Sequence, residues 1–297
     1  MKNFIRKITP SFLLNWFRRL KKAKSRKLLA KQKKSGRVFT KTNLIKTLKE
    51  SGVKTGDTLL VHSSLSKIGY VEGGPQTVIN ALLDTVGEDG HVLMPNSPNA
   101  KFQLDYIREL DVFDVNISES KLGIITETFR KHPKAIRSWH PTEPVSCIGP
   151  KADYFVSEHF GQLTPYNSKS PFFKVADSRG KILMIGVTLD NAGTNLHTLE
   201  DAVSDFKFPV YFDEVFTVKI KDPNGEIHEI KTKVHNPEWS KKRKCDELIP
   251  LFEKEGALTK IKFGNADTLI IDAKKMYDIM IEEYKTNGVT MYTPKGS

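Results

Sequence analysis

Apolar and polar positions alternate between two rhythms along this chain, one of period near 3.6 and one of short continuous runs. Residues 40–50 place Leu44, Ile45 and Leu48 on one helical face, and Gly52 stops the helix. Residues 57–62 contain Thr58-Leu59-Leu60-Val61, a short buried strand. Pro75 opens a second helix with Val78, Ile79, Leu82 and Val86 on one face and Gly87 at its end. A strand over 91–95, a helix over 122–130, a strand over 145–148 and a helix over 151–158 follow. The run Lys181-Ile182-Leu183-Met184-Ile185-Gly186-Val187 reads as a buried strand, and a helix starts at Thr194. Strands alternating with helices predict an α/β sheet covered on both faces.

The rhythm changes after Phe206. Residues 215–219 and 226–232 alternate around Asp222-Pro223-Asn224-Gly225, a β-hairpin that extends the main body. Helices over 246–254 and 273–285 close the chain, the latter with Met276, Ile279, Met280 and Tyr284 on its apolar face. Residues 1–38 thus form a leader and residues 39–297 one domain, with the hairpin extension spanning about 207–262.

Charge changes the reading of the leader only. The net charge of +12 suggests a nucleic-acid binder until it is located: fourteen of the 47 Lys and Arg fall in residues 1–38, which hold no acid. The rest of the chain is close to neutral, and the leader has no recognition module for nucleic acid. Phe12, Leu13, Leu14, Trp16, Phe17 and Leu20 at helical spacing, followed by Arg18, Arg19, Lys21, Lys22, Lys24, Arg26 and Lys27, suit either a solvated tail or the surface of an anionic membrane. No apolar stretch approaches the roughly 20 residues of a spanning helix. Cys147 and Cys245, far apart, give neither a disulfide framework nor metal-ligand spacing. A cytoplasmic protein, free or peripheral at the inner face of the membrane, is the expectation, with no metal.

Three constellations carry chemistry. The first, His62-Ser63-Ser64-Leu65-Ser66-Lys67-Ile68-Gly69-Tyr70-Val71-Glu72-Gly73-Gly74, links a strand to the helix at Pro75. Glycines allow close backbone approach, and amides at a helix start attract phosphate; an ordinary strand-to-helix turn is the alternative. The second, Arg137-Ser138-Trp139-His140-Pro141-Thr142-Glu143-Pro144, is a loop crowded with polar and aromatic groups, in which His140 is either functional or structural. The third places His197 and Glu200 one helical turn apart on one face, after the carboxyl end of a strand, with Asp190 upstream. Ligands of open α/β sheets bind at such ends, and a carboxylate beside an imidazole fixes its tautomer and raises its basicity.

In this order, these pieces resemble the aminoglycoside 3-N-acetyltransferase (antibiotic N-acetyltransferase) family. The matching residues are His62-Ser63-Ser64-Leu65 with Gly69, Val71, Gly73 and Gly74; Arg137-Ser138 with His140-Pro141; Ser170-Pro171; Thr194 with Leu196-His197 and Glu200; and Phe263-Gly264 with Ala266. The likeness runs from about residue 41 to 285 and leaves the leader outside.

The resemblance implies a three-layer α/β/α sandwich distinct from the histone-type acetyltransferase fold. It also implies an acyl-CoA donor, acetyl or longer, and a primary amine on an amino sugar as acceptor. His62, Ser63, Ser64, Leu65, Ser66, Gly69, Val71, Gly73, Gly74 and Ser138 would hold the coenzyme. His197 would be the general base, Glu200 its orienting partner and Asp190 a third member, with His140 and Glu72 toward the acceptor. Glu72, Asp105, Glu109, Asp111, Asp114, Glu119 and Asp190 are the acids available to a polycationic acceptor. A membrane-seeking leader favours a nucleotide-linked amino sugar used in surface polysaccharide synthesis. The alternatives are an aminoglycoside, modified in antibiotic resistance, and a non-catalytic, membrane-tethered acyl-CoA-binding protein.

Overall fold

Leu59, Val61, Val92, Met94, Leu183 and Ile185 face one core of the protein, while Leu60, Leu93, Ile182 and Met184 face another. These alternating residues belong to three parallel strands, β1 (Thr58–Ser63), β2 (His91–Pro95) and β6 (Lys181–Ile185), with β1 in the middle. Both faces are apolar, so both must be covered. A computed structural model describes residues 38–99 and 102–296, together with 23, 27, 30 and 32–36. The amphipathic stretch of the leader and its basic run up to Arg26 lie outside the described residues. No helix among those described is long and apolar enough to cross a membrane.

Antiparallel strands flank the parallel core. On one side stand β5 (Val145–Ile148) and β4 (Ile136–Arg137); on the other, β10 (Ala266–Asp272) and β9 (Leu258–Phe263). One face carries α1 (Lys41–Glu50), α2 (Pro75–Val86) and α3 (Ile124–Arg130), which contribute Leu44, Leu48, Ile79, Leu82 and Phe129 to their core. The other carries α4 (Pro171–Asp177), α5 (Thr198–Ala202) and α6 (Ala273–Asn287), through Phe172, Val175, Leu199, Met276 and Met280. The result is the expected three-layer α/β/α sandwich. Local signals set the helix ends: Thr40 caps α1 in a reciprocal box with Asn43, Ser170 caps α4, and Asp272 caps α6.

The predicted hairpin forms as β7 (Phe216–Lys221) and β8 (Ile227–Thr232). It does not extend the main sheet. β3 (Val112–Asp114) pairs in parallel with β7, and the three strands enclose a small core of their own around Phe113, Ile220 and Val234. The end of the expected extension, residues 258–262, belongs instead to β9 in the main sheet. The hairpin β9–β10 turns through Gly264 (φ 62°) and Asn265.

Candidate active site

Parallel strands bring their carboxyl ends to one edge of the sheet, and there the chain builds a cavity of about 350 Å³. His62 comes from β1; Ser97 and Asn99 follow β2; Leu189 to Thr194 and His197 follow β6. β5 runs antiparallel to β2, so Glu143, just before β5, arrives at the same edge. Gln103, Tyr166, His235, Arg243 and Cys245 complete the wall with their neighbours.

At its base lies a network centred on Glu200. Thr194–His197 forms a turn of 3₁₀ helix that runs into α5, and this puts Glu200 three residues beyond His197 with its carboxylate against the ring. His197 Nδ1 lies 3.0 Å from Glu200 Oε2, and His235 Nε2 lies 2.8 Å from the same oxygen. Tyr292 donates its hydroxyl to Oε1 at 2.6 Å. Both imidazoles therefore give an N–H to the carboxylate. Nδ1 of His197 is spent, which leaves Nε2 as its basic nitrogen.

The electrostatics agree with that assignment. Burial, helped by the charge of Arg243, lowers the pKa of His197 to about 3. Burial lowers that of His235 as well. Desolvation would raise Glu200, but the two histidines beside it hold its pKa well below the ordinary carboxylate value. Burial pulls the guanidinium of Arg243 down, and Tyr292 and Glu200 more than restore it. The resting site is a carboxylate and a guanidinium joined through Tyr292, flanked by neutral imidazoles. Nitrogen-15 spectra of histidine-labelled protein are accordingly expected to show a neutral His197 down to pH 5. A titration midpoint near 6.5 would contradict the assignment.

The ligating atoms of His197, Glu200 and His235 lie within 4.8 Å of one another, a donor set that could hold a metal ion. In this structure all three are engaged with each other by hydrogen bonds.

Asp190 reaches the cavity wall, but its carboxylate accepts from the backbone N–H of Asp246 at 3.1 Å rather than from His197. The members that complete the dyad are His235 and Tyr292. Of the residues from His62 to Gly74, only His62 lines the cavity. It is buried, its pKa is lowered by desolvation to about 4, and its Nε2 meets Thr194 Oγ1 at 3.1 Å. This contact ties β1 to the segment that carries His197.

The remainder of that loop leaves the cavity along the same edge. Ser64 bonds through its backbone to Ile185, Leu65 and Ser66 lie in a single helical turn, and Val71 pairs with Phe39. Gly69, Gly73 and Gly74 have φ of 107°, 72° and 64°, which L side chains rarely adopt. At Gly73 a Cβ would also meet Thr77 Oγ1 at 2.5 Å.

Three of the expected site residues do not line the cavity. Ser138 is buried between strands, accepting from Val145 N and bonding His159 Nδ1 at 2.9 Å each. His140 is fully buried, stacked on His159, with Nδ1 turned to the backbone N–H groups of Thr142 and Glu143. Glu72 is exposed beside Phe39 and does not line the cavity. The reason is common to the first two: desolvation makes a buried polar group seek internal partners, and the loop satisfies them within itself. What that loop delivers to the cavity is Glu143, held by Ser97 (2.6 Å) and Gln103 (2.7 Å) and shifted up by burial. Asp105, Glu109, Asp111, Asp114 and Glu119 are likewise absent from the wall.

Beneath the network, Asp201 accepts from Tyr211 (2.8 Å) and from the backbone of Tyr166 (3.1 Å). Tyr166 and Tyr211 stack against His235 with centroids 5.4 and 5.0 Å away. Burial raises the pKa of Asp201 from 3.8 to about 6. An acid raised on folding contributes stability below its unfolded value, and that contribution is lost as pH rises through the folded one. Between pH 4 and 7 this amounts to about 2 kcal/mol. Asp201→Asn is expected to remove that pH-dependent component, read as the difference between the two proteins' urea unfolding free energies across the range. Parallel pH profiles would refute it.

A buried imidazole–carboxylate pair at the carboxyl edge of a three-layer sandwich, open to a cavity, is the arrangement of an enzyme that uses a general base. The comparisons sharpen this class. The family model for aminoglycoside 3-N-acetyltransferase matches residues 60–285. Aminoglycoside N(3)-acetyltransferase VIII of Streptomyces fradiae is 32% identical over 198 residues, covering 62% of this chain and 69% of the relative. Among solved structures, aminoglycoside acetyltransferase AAC(3)-Xa superposes with a TM-score of 0.74 at 25% identity, covering 89% of this chain and 98% of that one. AAC-IIIb, solved in a binary complex with CoASH, gives 0.70 at 25% identity over 84% and 97% of the two chains. The chain belongs to the aminoglycoside 3-N-acetyltransferase family, and is an N-acyltransferase.

Proposed function

We propose that this protein transfers an acetyl group from acetyl-CoA to the 3-amino group of an aminoglycoside. The carrying observation is His197, neutral, oriented by Glu200 and open to the cavity. The relatives' names support the aminoglycoside over the nucleotide-linked amino sugar that the leader suggested.

His197 Nε2 takes the proton that the acceptor amine must lose to become nucleophilic. Glu200 stabilises the imidazolium as it forms. The amine nitrogen then bonds to the thioester carbonyl carbon, the carbon–sulfur bond breaks with its electron pair going to sulfur, and the surplus proton on the new amide nitrogen passes to the departing thiolate. Cys245 lines the cavity, but burial raises its pKa to about 12, and Cys147 is raised still further by burial, so neither supplies a thiolate for an acyl-enzyme.

The loop after β1 fits the donor. Ser63 Oγ is buried with no partner, and α2 starts with no side-chain cap, leaving the N–H groups of its first turn for phosphate. Acyl-CoA would be held by Ser63, Ser64 and the glycines up to Gly74. Thiol release from acetyl-CoA, measured against a panel of aminoglycosides and nucleotide-linked amino sugars, tests the reading. Turnover with aminoglycosides is expected; turnover confined to nucleotide-linked sugars would overturn the acceptor, and binding of acetyl-CoA without release to any amine would overturn the activity.

A further inference from the structure

The cavity contains an edge of hydrogen-bond donors with nothing to bond. Arg243 lines the wall, and its Nε and Nη2 are buried without partners among the described residues. A hydrogen bond to Tyr292 and the charge of Glu200 account for the presence of the guanidinium beside the network, but not for these two groups. Leaving a buried donor unsatisfied costs about 1–3 kcal/mol, more on a charged group. Nε–H and the Nη–H beside it lie along one edge of the planar guanidinium, the arrangement that takes two oxygens side by side. In the same cavity Asn99 Oδ1 is a buried acceptor that also lacks a partner.

Charge decides which oxygens suit this edge. Glu200 already compensates Arg243, and Asp190 and Glu143 stand on the same wall. A phosphate or carboxylate would add negative charge among these carboxyl groups. Neutral oxygens need only the hydrogen bonds. An acceptor ammonium has no lone pair to offer and would be repelled by the guanidinium, so it must turn away from this edge.

We propose that the free edge of Arg243 holds two adjacent neutral oxygens of the acceptor, such as vicinal hydroxyls on a sugar ring, and so selects and orients amino sugars by their pattern of oxygen substitution. Asn99 takes a hydrogen from an N–H or O–H of the same acceptor. This rests on the amino-sugar reading above and adds the feature of the acceptor that the site recognises.

The test pairs Arg243→Lys with aminoglycosides that each lack one vicinal hydroxyl pair, kcat and KM being read separately. For one such pair, wild-type protein should lose at least about tenfold in kcat/KM on the deoxy acceptor. Arg243→Lys should lose a similar factor on the parent, mainly in KM, and little more on the deoxy compound. An equal loss on every acceptor, carried in kcat, would show that Arg243 acts only through Tyr292 and would overturn the proposal. So would wild-type protein that turns over every deoxy acceptor as well as its parent, a result independent of whether the variant folds. Dependence on Arg243 confined to phosphate-bearing amino sugars would overturn it in favour of an anion. No thiol release with any aminoglycoside would instead overturn the functional reading on which it rests.

Discussion

His197→Ala is expected to lower turnover by roughly 10²–10⁴-fold, the range for loss of a positioned general base. Its ring lines the cavity and makes one side-chain hydrogen bond, through Nδ1 to Glu200. Removing it leaves Glu200 with the donors of His235 and Tyr292. The carboxylate stays satisfied, so the fold should survive and the loss should be chemical. Thiol release under saturating acetyl-CoA, with circular dichroism to confirm folding, reads it directly. Turnover within a few-fold of wild type would remove His197 from the role of base.

Glu200→Ala is expected to cost both activity and stability. The Glu200 side chain has no solvent exposure, and it bonds His197, His235 and Tyr292 while facing the charge of Arg243. Deleting it strands a buried guanidinium and two imidazole N–H groups. Removing one partner of a buried ion pair costs about 3–5 kcal/mol, on the order of a 10 °C drop in melting temperature for a domain of this size. Turnover should also fall, by no more than in His197→Ala, since the remaining imidazole has lost its orienting group but not its basic nitrogen. The double variant should then be no slower than the worse single one, because the two residues act as a unit. Multiplicative losses would show independent roles.

The continuous apolar runs that made β1, β2 and β6 legible are a consequence of burial on both sheet faces. The helices at Lys41 and Pro75 were legible from caps and a single apolar face. β3 and β4 were not, being two or three residues long, and the partner that defines β3 is the distant β7. β9 and β10 carried a usable signal in the alternation around Gly264-Asn265.

At the site, His197 and Glu200 could be paired from spacing alone because one helical turn joins them. His235, Tyr292 and Arg243 could not, since tertiary packing is what delivers them to that carboxylate. Glu143 shares its loop with His140, and nothing local marks which of the two faces the cavity. A buried histidine stacked on another and a carboxyl group facing a cavity look alike in one dimension.

The ladder that joins Ser63 to Ile185 fixes the loop after β1 and the segment that carries His197 to neighbouring strands, whereas Asn99 comes from a connection outside that ladder and bonds none of the groups around Glu200. Under the proposed function, acceptor choice at Asn99 is thus mechanically separable from the reaction chemistry. Substitution there can redraw the range of amines accepted without resetting the alignment on which rate depends.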